Sequence, residues 1–397
     1  MRTDSVGLGA WHRAGDLHRT GFGHVRARAS LGIVNPPSVG VEEEFLLVDP
    51  RTGEPVARNA DVARHAAARG VDLQLELTTC QVETATDVAN TSSQLRQQIV
   101  HLRRVAAEAA EQAGARLLAV GLPPTVPQSF PITDKPRYRE IGERFGMIAH
   151  EQGICGCHVH VEVPDRATAI AVSNRLRPWL PLLLALTANS AIYRNADTGH
   201  ASWRSVLWGR WPSAGPPPHF ESPEHYDAIV AMMLDAGAML DDGMVYWDVR
   251  PSNKFPTVEL RVADVPATAA ETVLLATLAR AAVMTALAAE QAGAPVPRID
   301  DHVLRAAYWK AAHDGLDGQS IDVIEGWATG PTPRVLAKWL RLLQPALIEL
   351  GDDEWVHAEL GRLLREGNGA MRQRMAWRER HDVADVLAVA AESTLRT

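Results

Sequence analysis

The sequence Thr257-Val258-Glu259-Leu260-Arg261-Val262 alternates polar and apolar residues, which is the pattern of a β-strand with one buried face. Side chains on a strand point alternately to its two faces. Glu259 and Arg261 therefore share one face with Thr257, while the valines and the leucine occupy the other. We expect this strand to present a carboxylate and a guanidinium group side by side.

Three further segments repeat the alternation and collect polar side chains on one face. They are residues 39–48 with Glu42 and Glu44, the sequence Gln81-Val82-Glu83 with its single carboxylate, and residues 157–163 with His158, His160 and Glu162. Carboxylates buried together without a cation repel each other and lose their hydration, at a cost of several kcal/mol. The four segments thus predict one cation-binding sheet surface.

Strands and long helices are mixed along the chain without strict alternation. The clearest helices are predicted at residues 90–113, 271–292 and 383–395. This order favours an α+β fold with a mainly antiparallel sheet over a doubly wound parallel sheet. The polar face of the sheet would form the active site, and helices would back its other face.

Charge and cysteine usage narrow the class of protein. The 397 residues carry a formal net charge of −8, which argues against nucleic acid as a partner and leaves small molecules. The cysteines form no disulfide framework, which favours a cytoplasmic protein. Cys157 falls on the apolar face of its strand, so Cys155 and Cys157 are predicted to be core residues rather than metal ligands.

The chain is predicted to contain one catalytic domain, residues 37–397, after a disordered extension at residues 1–36. The extension lacks the apolar core of a secretory signal. No apolar run approaches the roughly 20 residues that span a bilayer. The richest candidate, residues 180–191, is too short, so we expect no membrane association.

The pair His158 and His160 leaves two kinds of metal site open. Two imidazoles on one face could hold zinc, whereas carboxylates on neighbouring strands favour a hard cation such as Mg²⁺ or Mn²⁺. Glu43 falls on the apolar side of its strand and is assigned no metal role. Its carboxylate is expected to be paired or to lie at a sheet edge.

A segment rich in tryptophan and arginine, residues 202–211, is interpreted as a loop over the site. Cations flanked by flat apolar walls suit the carboxylate of an amino acid. The residues predicted to bind such a substrate are Arg204, Ser205 and Trp208. Arg250, just before the strand at residue 257, is a second candidate for contact with phosphate.

Four motifs together resemble those of the type 2 glutamate–cysteine ligases, which are ATP-dependent carboxylate–amine ligases. The motifs are Gly40-Val41-Glu42-Glu43-Glu44-Phe45, Gln81-Val82-Glu83-Thr84, His158-Val159-His160-Val161 and Thr257-Val258-Glu259-Leu260-Arg261-Val262-Ala263-Asp264. The resemblance covers residues 39 to about 285. It implies a catalytic domain of the glutamine synthetase type, with a curved antiparallel sheet that cradles ATP and divalent cations.

The resemblance also implies roles for individual residues. The implied metal ligands are Glu42, Glu44, Glu83, His160 and Glu259. The implied contacts to ATP are Arg261, Arg250 and His158. Glu259 and Arg261 would be catalytic, with Arg261 against the transferred phosphoryl group.

The implied reaction is the formation of γ-glutamylcysteine from glutamate and cysteine, as in the synthesis of a glutathione-like thiol. ATP would phosphorylate the γ-carboxylate, with Mg²⁺ or Mn²⁺ as cofactor, and the amine would displace phosphate. Either His158 or Glu162 could take the proton from the amine. The sequence also allows the protein to form a homo-oligomer.

Three alternatives remain open at this point. The same chemistry could serve another amine. A phosphotransferase could use a related sheet, giving a stable phosphorylated product and no amide. A zinc hydrolase could be built on His158 and His160.

Overall fold

The computed structural model describes residues 35–125, 130–151 and 153–397, so the predicted extension lies almost wholly outside the described residues. The strands of this part are β1 (Val39–Val48), β2 (Gln74–Leu75), β3 (Gln81–Ala85), β4 (Arg116–Leu118), β5 (Gly156–Glu162), β6 (Ile192–Tyr193), β7 (Ala196–Asp197), β8 (Val249–Pro251), β9 (Thr257–Asp264), β10 (Gln319–Ile321) and β11 (Thr329–Pro331). The helices that precede residue 200 are α1 (Asn59–Ala67), α2 (Ser92–Gln112), α3 (Pro136–Phe145), α4 (Met147–His150), α5 (Arg166–Leu176) and α6 (Leu180–Thr187). The later helices are α7 (Trp203–Trp208), α8 (Pro223–Asp235), α9 (Ala269–Gln291), α10 (Asp301–Asp314), α11 (Thr332–Leu350), α12 (Asp353–Glu366), α13 (Gly369–Arg380) and α14 (Val383–Thr394).

Seven strands form one open sheet in the order β2-β3-β1-β5-β9-β8, with β4 paired to the end of β1 on the edge opposite β3. Every strand pair in it is antiparallel. The predicted α+β class is therefore confirmed. The four strands whose polar faces were aligned by sequence are direct neighbours at the centre of the sheet.

The register of these pairs brings the polar residues of neighbouring strands opposite one another. Glu42 pairs with His158 and Glu44 pairs with Glu83. His160 pairs with Glu259. Directly opposed residues have their Cβ atoms about 5 Å apart, so these side chains converge.

The other face of the sheet is covered by helices. Val159, Val161, Val258 and Leu260 form one buried cluster with residues of α5, α6 and α9. Cys157 belongs to this cluster, and all three cysteines are buried and unbridged. The cysteines are therefore core residues, as predicted.

Helix α9 lies inside this layer. By length and composition it could cross a membrane, with a mean hydropathy of 1.8 over its most apolar window, but 83% of that window is buried in the protein. The sequence pattern indicated residues 180–191 instead. Glu271 and Arg280, the charged residues of α9 that interrupt its apolar run, are both buried in the folded protein.

Glu43 shows why a charged residue can lie on the apolar face. Its side chain is 1% exposed and forms a bidentate pair with Arg103 of α2, with the shorter contact at 2.6 Å. Arg103 also donates to the backbone carbonyls of Pro266, Ala267 and Thr394. The pair therefore fastens β1 to α2 and to the end of α14.

The tryptophan-rich segment differs from its predicted loop conformation, because residues 203–208 form the helix α7. Ser202 caps the helix by accepting a hydrogen bond from Ser205 N, and Ser202 N donates to the carbonyl of Ala312 in α10. A helix of this length shows no apolar periodicity in the sequence. Its conformation depends on the cap and on contact with a distant helix.

Candidate active site

A cavity of about 150 Å³ opens on the polar face of the central strands. Its polar lining residues are Glu44, Glu76, Gln81, Arg137, His158, Arg204 and Arg261. The other lining residues are Leu77, Tyr138, Ile141, Ile154, Trp208, Trp211, Gly243 and Tyr246. The cavity therefore joins the carboxylate-bearing strands to an aromatic wall contributed by α3, α7 and the segment before β8.

Two overlapping groups of possible metal ligands lie on the sheet at this place. One contains Glu42, His158 and Glu259, and the other contains Glu44, Glu83 and His158. Within each group the ligand atoms lie within 4.8 Å of one another. His158 is common to both groups, although the sequence assigned it to ATP.

Glu42 lies between the two histidines. Its Oε2 is 3.1 Å from His158 Nδ1 and its Oε1 is 3.5 Å from His160 Nε2. Burial opposes ionisation of this carboxylate, but hydrogen bonding to His158 and His160 outweighs it and lowers the pKa of Glu42. Burial, together with the charge of Arg261, lowers the pKa of His158, so its imidazole is neutral at pH 7 and able to bind a cation.

Glu259 is held between two arginines. Arg250 donates to it from Nε at 2.8 Å and from Nη2 at 3.2 Å, and Arg261 Nη1 donates to Glu259 Oε1. Burial opposes its ionisation, yet the charges of Arg261 and Arg250 outweigh that effect and keep the pKa of Glu259 below its usual range. The guanidinium of Arg261 also lies 6.0 Å from the ring centre of Tyr246.

Glu76 is a site residue that sequence analysis missed. It follows β2 and lines the cavity beside Glu44. Burial and the neighbouring charge of Glu44 raise its pKa to about 7. Burial and the charge of Glu76 likewise raise the pKa of Glu83. The alternation in Leu73-Gln74-Leu75-Glu76-Leu77 could have indicated this residue, had it been aligned with the other strands.

These features fit a divalent cation. Glu42, Glu44, Glu76 and Glu83 repel one another electrostatically in this site. His160 Nδ1 lies 3.0 Å from Thr257 Oγ1, while its Nε2 faces two carboxylates, with Glu42 Oε1 at 3.5 Å and Glu259 Oε1 at 4.0 Å. A cation would neutralise the carboxylates and could bind this nitrogen, and an oxygen-rich donor set favours Mg²⁺ or Mn²⁺ over zinc.

The predicted substrate residues are only partly brought together. Arg204 and Trp208 line the cavity, and the guanidinium of Arg204 lies 5.9 Å from the ring centre of Trp208. Ser205 lies on the same helix, yet it is not among the lining residues. Its backbone amide is engaged with the capping Ser202.

Two other predicted residues lie at the margin of the site. Arg250 donates to Glu259 and to the carbonyl of Val245 and does not line the cavity. Glu162 lies at the exposed end of β5, where it accepts hydrogen bonds from the amide and the hydroxyl of Ser38. It belongs to neither ligand group and does not line the cavity, so the structure gives no support to Glu162 as a proton acceptor.

Comparison with known proteins shows the family. A family model described as glutamate–cysteine ligase family 2 (GCS2) matches residues 38–389. A protein of Mycolicibacterium smegmatis, provisionally named glutamate–cysteine ligase 2-3, is 68% identical over 361 residues that cover 91% of this chain and 99% of the relative. A protein of Nocardia farcinica, provisionally named glutamate–cysteine ligase 2-1, is 58% identical over 91% of this chain and 94% of its own.

Solved structures with a similar fold are more distant in sequence. The crystal structure of glutamate–cysteine ligase from Francisella tularensis in complex with AMP gives a TM-score of 0.69 at 11% identity, covering 91% of this chain and 89% of that one. A bifunctional glutathione synthetase from Pasteurella multocida gives 0.64 at 15% identity, covering 90% of this chain and 52% of that one. At these identities the likeness shows the fold, an open antiparallel sheet with helices of the type found in these ligases.

Proposed function

Because this chain belongs to glutamate–cysteine ligase family 2, we propose that it is an ATP-dependent carboxylate–amine ligase. The reaction joins the γ-carboxylate of glutamate to an amine, with cysteine as the leading acceptor and γ-glutamylcysteine as the product. The observation that carries the proposal is the convergence of Glu42, Glu44, Glu83 and Glu259 with Arg261 on one sheet face. The AMP bound in the Francisella tularensis ligase supports a nucleotide as substrate.

A carboxylate is a poor acyl donor, so the first step activates it. An oxygen of the γ-carboxylate attacks the γ-phosphorus of ATP, the bond to the bridging oxygen breaks, and ADP leaves. Arg261 stabilises the negative charge on the transferred phosphoryl oxygens. Glu259 orients Arg261 through its charge-assisted hydrogen bond, and Tyr246 lies beside the guanidinium.

Glu42, Glu44, Glu83, His160 and Glu259 are the proposed metal ligands, with His158 and Glu76 adjacent to them. A divalent cation held by these residues would neutralise phosphate charge and orient the phosphates. The low pKa values of Glu42 and Glu259 keep these two carboxylates ionised at pH 7. The neutral imidazole of His158 adds a nitrogen donor without adding positive charge.

In the second step the neutral amine attacks the acyl carbon, the carbon–oxygen bond to phosphate breaks, and the nitrogen loses its extra proton to the departing phosphate as the amide forms. Arg204 and Trp208 hold the carboxylate of the amino acid in the cavity. The aromatic wall of Trp208, Trp211 and Tyr246 excludes water, which would otherwise hydrolyse the acyl phosphate. We place this chemistry in the cytoplasm, where ATP and free amino acids are available.

The test is ADP release by the purified protein with Mg²⁺, ATP and glutamate, with and without a panel of amines that includes cysteine. Products are identified by mass, and hydroxylamine is added separately to trap the acyl phosphate as a hydroxamate. Glu259→Gln serves as the control for contaminating ATPase activity. Amine-dependent ADP release with a matching γ-glutamyl amide supports the proposal and identifies the acceptor. Absence of turnover and of hydroxamate with any amine would exclude it.

A further inference from the structure

Arg204 is an arginine whose donors are largely unused within the protein. It is 3% exposed, and its Nη1 donates to the carbonyl of Val262 at the long distance of 3.5 Å. Its buried Nε has no hydrogen-bond partner among the residues that the structure describes. Burying a guanidinium in this state is costly unless an anion completes its hydrogen bonds. The open donors therefore point to a ligand carboxylate in the cavity.

Asp264, at the end of β9, is a carboxylate that lies close to this arginine and belongs to neither group of candidate metal ligands. Its side chain is wholly buried at 0% exposure, and its Oδ1 lies 3.8 Å from Arg204 Nη1. Three groups donate to it: Asn189 N at 2.8 Å, Ser190 Oγ at 2.7 Å and Ser202 Oγ at 2.8 Å. Asp264 thus compensates the charge of Arg204 without occupying its donors at hydrogen-bond distance.

The same hydrogen bonds fix the helix that carries Arg204. Ser202, which donates to Asp264, is also the N-terminal cap of α7. Ser190, which donates to Asp264 as well, accepts a hydrogen bond from Arg204 N at 3.0 Å. Asp264 therefore ties α7 to β9, the strand that carries Glu259 and Arg261.

Two glycines allow this close packing. A Cβ atom at Gly156 would lie well inside contact distance of Arg204 Nη2. A Cβ atom at Gly121 would lie 2.9 Å from Asp264 Oδ2. The guanidinium and the carboxylate therefore each pack directly against a backbone position where a side chain would displace them.

We propose that Asp264 is a positioning residue for substrate recognition, which orients Arg204 toward the carboxylate of the acyl-donor amino acid. The inference rests on the proposed ligase function. It adds that Arg204 is oriented by a residue of β9, the same strand that carries Glu259 and Arg261. Displacing Arg204 would then weaken binding of the amino acid and leave binding of ATP intact.

The test is a double-mutant cycle on glutamate recognition with Asp264→Asn and Arg204→Met, using the amine that gives the highest turnover. Asn keeps the shape but removes the charge beside Arg204. Its single carbonyl oxygen can accept from Ser190 Oγ and Asn189 N, while its amide group takes the place of the oxygen that accepts from Ser202 Oγ. We expect Asp264→Asn to raise KM for glutamate about tenfold, equivalent to about 1.4 kcal/mol, with KM for ATP changed less than twofold. In the Arg204→Met background the same change should raise KM less than twofold further, because Asp264 acts through Arg204.

The matched control is Glu271→Gln, which disrupts another buried ion pair, with Arg372, away from the cavity. It should lower the melting temperature without changing KM for glutamate. If Asp264→Asn does not fold, Ser190→Ala removes one link to Asp264 and should raise KM for glutamate about threefold. Additive effects in the cycle, or equal increases in KM for glutamate and ATP, would overturn the inference while leaving the ligase proposal intact. Failure of the wild-type protein to use glutamate would contradict the ligase proposal first.

Discussion

At the scale of single residues, the carboxylates of the site differ in pKa because their surroundings differ. Histidines and arginines hold Glu42 and Glu259 ionised, whereas burial next to other carboxylates raises the pKa values of Glu76 and Glu83. One sheet face thus contains both ionised and proton-binding acids. Metal cations and protons should therefore compete for the carboxylates with raised pKa values, Glu76 and Glu83.

This competition predicts that stabilisation by Mg²⁺ depends on pH. The folded-state pKa of Glu76, about 7, lies above its ordinary value of 4.5, so between these pH values the folded protein binds more protons than the unfolded chain. Without a cation, this contribution to stability is lost as the pH rises through 7. We expect the increase in melting temperature caused by Mg²⁺ to be larger at pH 8 than at pH 5.5. In Glu76→Gln the difference between the two pH values should shrink, and an equal shift at both pH values in the wild type would contradict this.

A second prediction at this scale concerns the planar shape of the Arg261 guanidinium. Arg261→Lys keeps the positive charge but loses the planar fork that donates to Glu259 and that, in the proposed mechanism, stabilises the transferred phosphoryl group. We expect kcat to fall about a hundredfold, in line with the loss of one transition-state donor. Steady-state ADP release measures this change in kcat. The control is Arg298→Lys, which alters an exposed ion pair with Glu221 and should leave kcat unchanged. Turnover of Arg261→Lys within threefold of the wild type would remove Arg261 from the site.

At the scale of elements, β1 carries two functions on opposite faces. Glu42 and Glu44 face the candidate metal ligands of the neighbouring strands, while Glu43 between them faces α2 and is paired with Arg103. The side-chain period of two places three consecutive acids in different environments. The sequence predicted this division, since strand parity is a local property.

The division predicts separate effects of substitutions at adjacent positions. Glu43→Gln leaves the guanidinium of Arg103 buried without a counter-ion, and we expect it to lower the free energy of unfolding by about 3 kcal/mol. The dissociation constant of Mg²⁺ should change less than threefold. Urea denaturation and calorimetric Mg²⁺ titration measure the two effects. Glu42→Gln should show the reverse pattern, and weaker Mg²⁺ binding in Glu43→Gln at unchanged stability would contradict the assignment of the faces.

At the scale of the whole molecule, helix α9 organises the layer behind the sheet. Leu274 and Leu278 are fully buried and belong to one core cluster with residues of β5, β9, α5 and α11. The length and composition of the helix would suit a membrane span because the helix is apolar on nearly all sides. In the folded protein those sides face other helices and the sheet.

Truncating this helix should therefore affect stability rather than catalysis. We expect Leu274→Ala to lower the free energy of unfolding by about 3 kcal/mol, since it removes buried contacts and leaves a cavity. KM for ATP and glutamate should stay within twofold of the wild type, because the site lies on the opposite face of the sheet. Chemical denaturation and steady-state kinetics test this. Loss of activity without loss of stability would show that α9 acts on the site directly.

The sequence alone determined the strands of the site, the face on which each polar residue lies, and the family, because side-chain alternation and motifs are local properties of the chain. The position of His158 in both ligand groups, the missed Glu76 and the helical conformation of α7 were decided by tertiary structure. Each depends on strand register, or on a cap and contacts with residues distant in sequence. The pairing of Asp264 with Arg204 likewise joins the end of β9 to α7, and only the folded chain brings them within 4 Å.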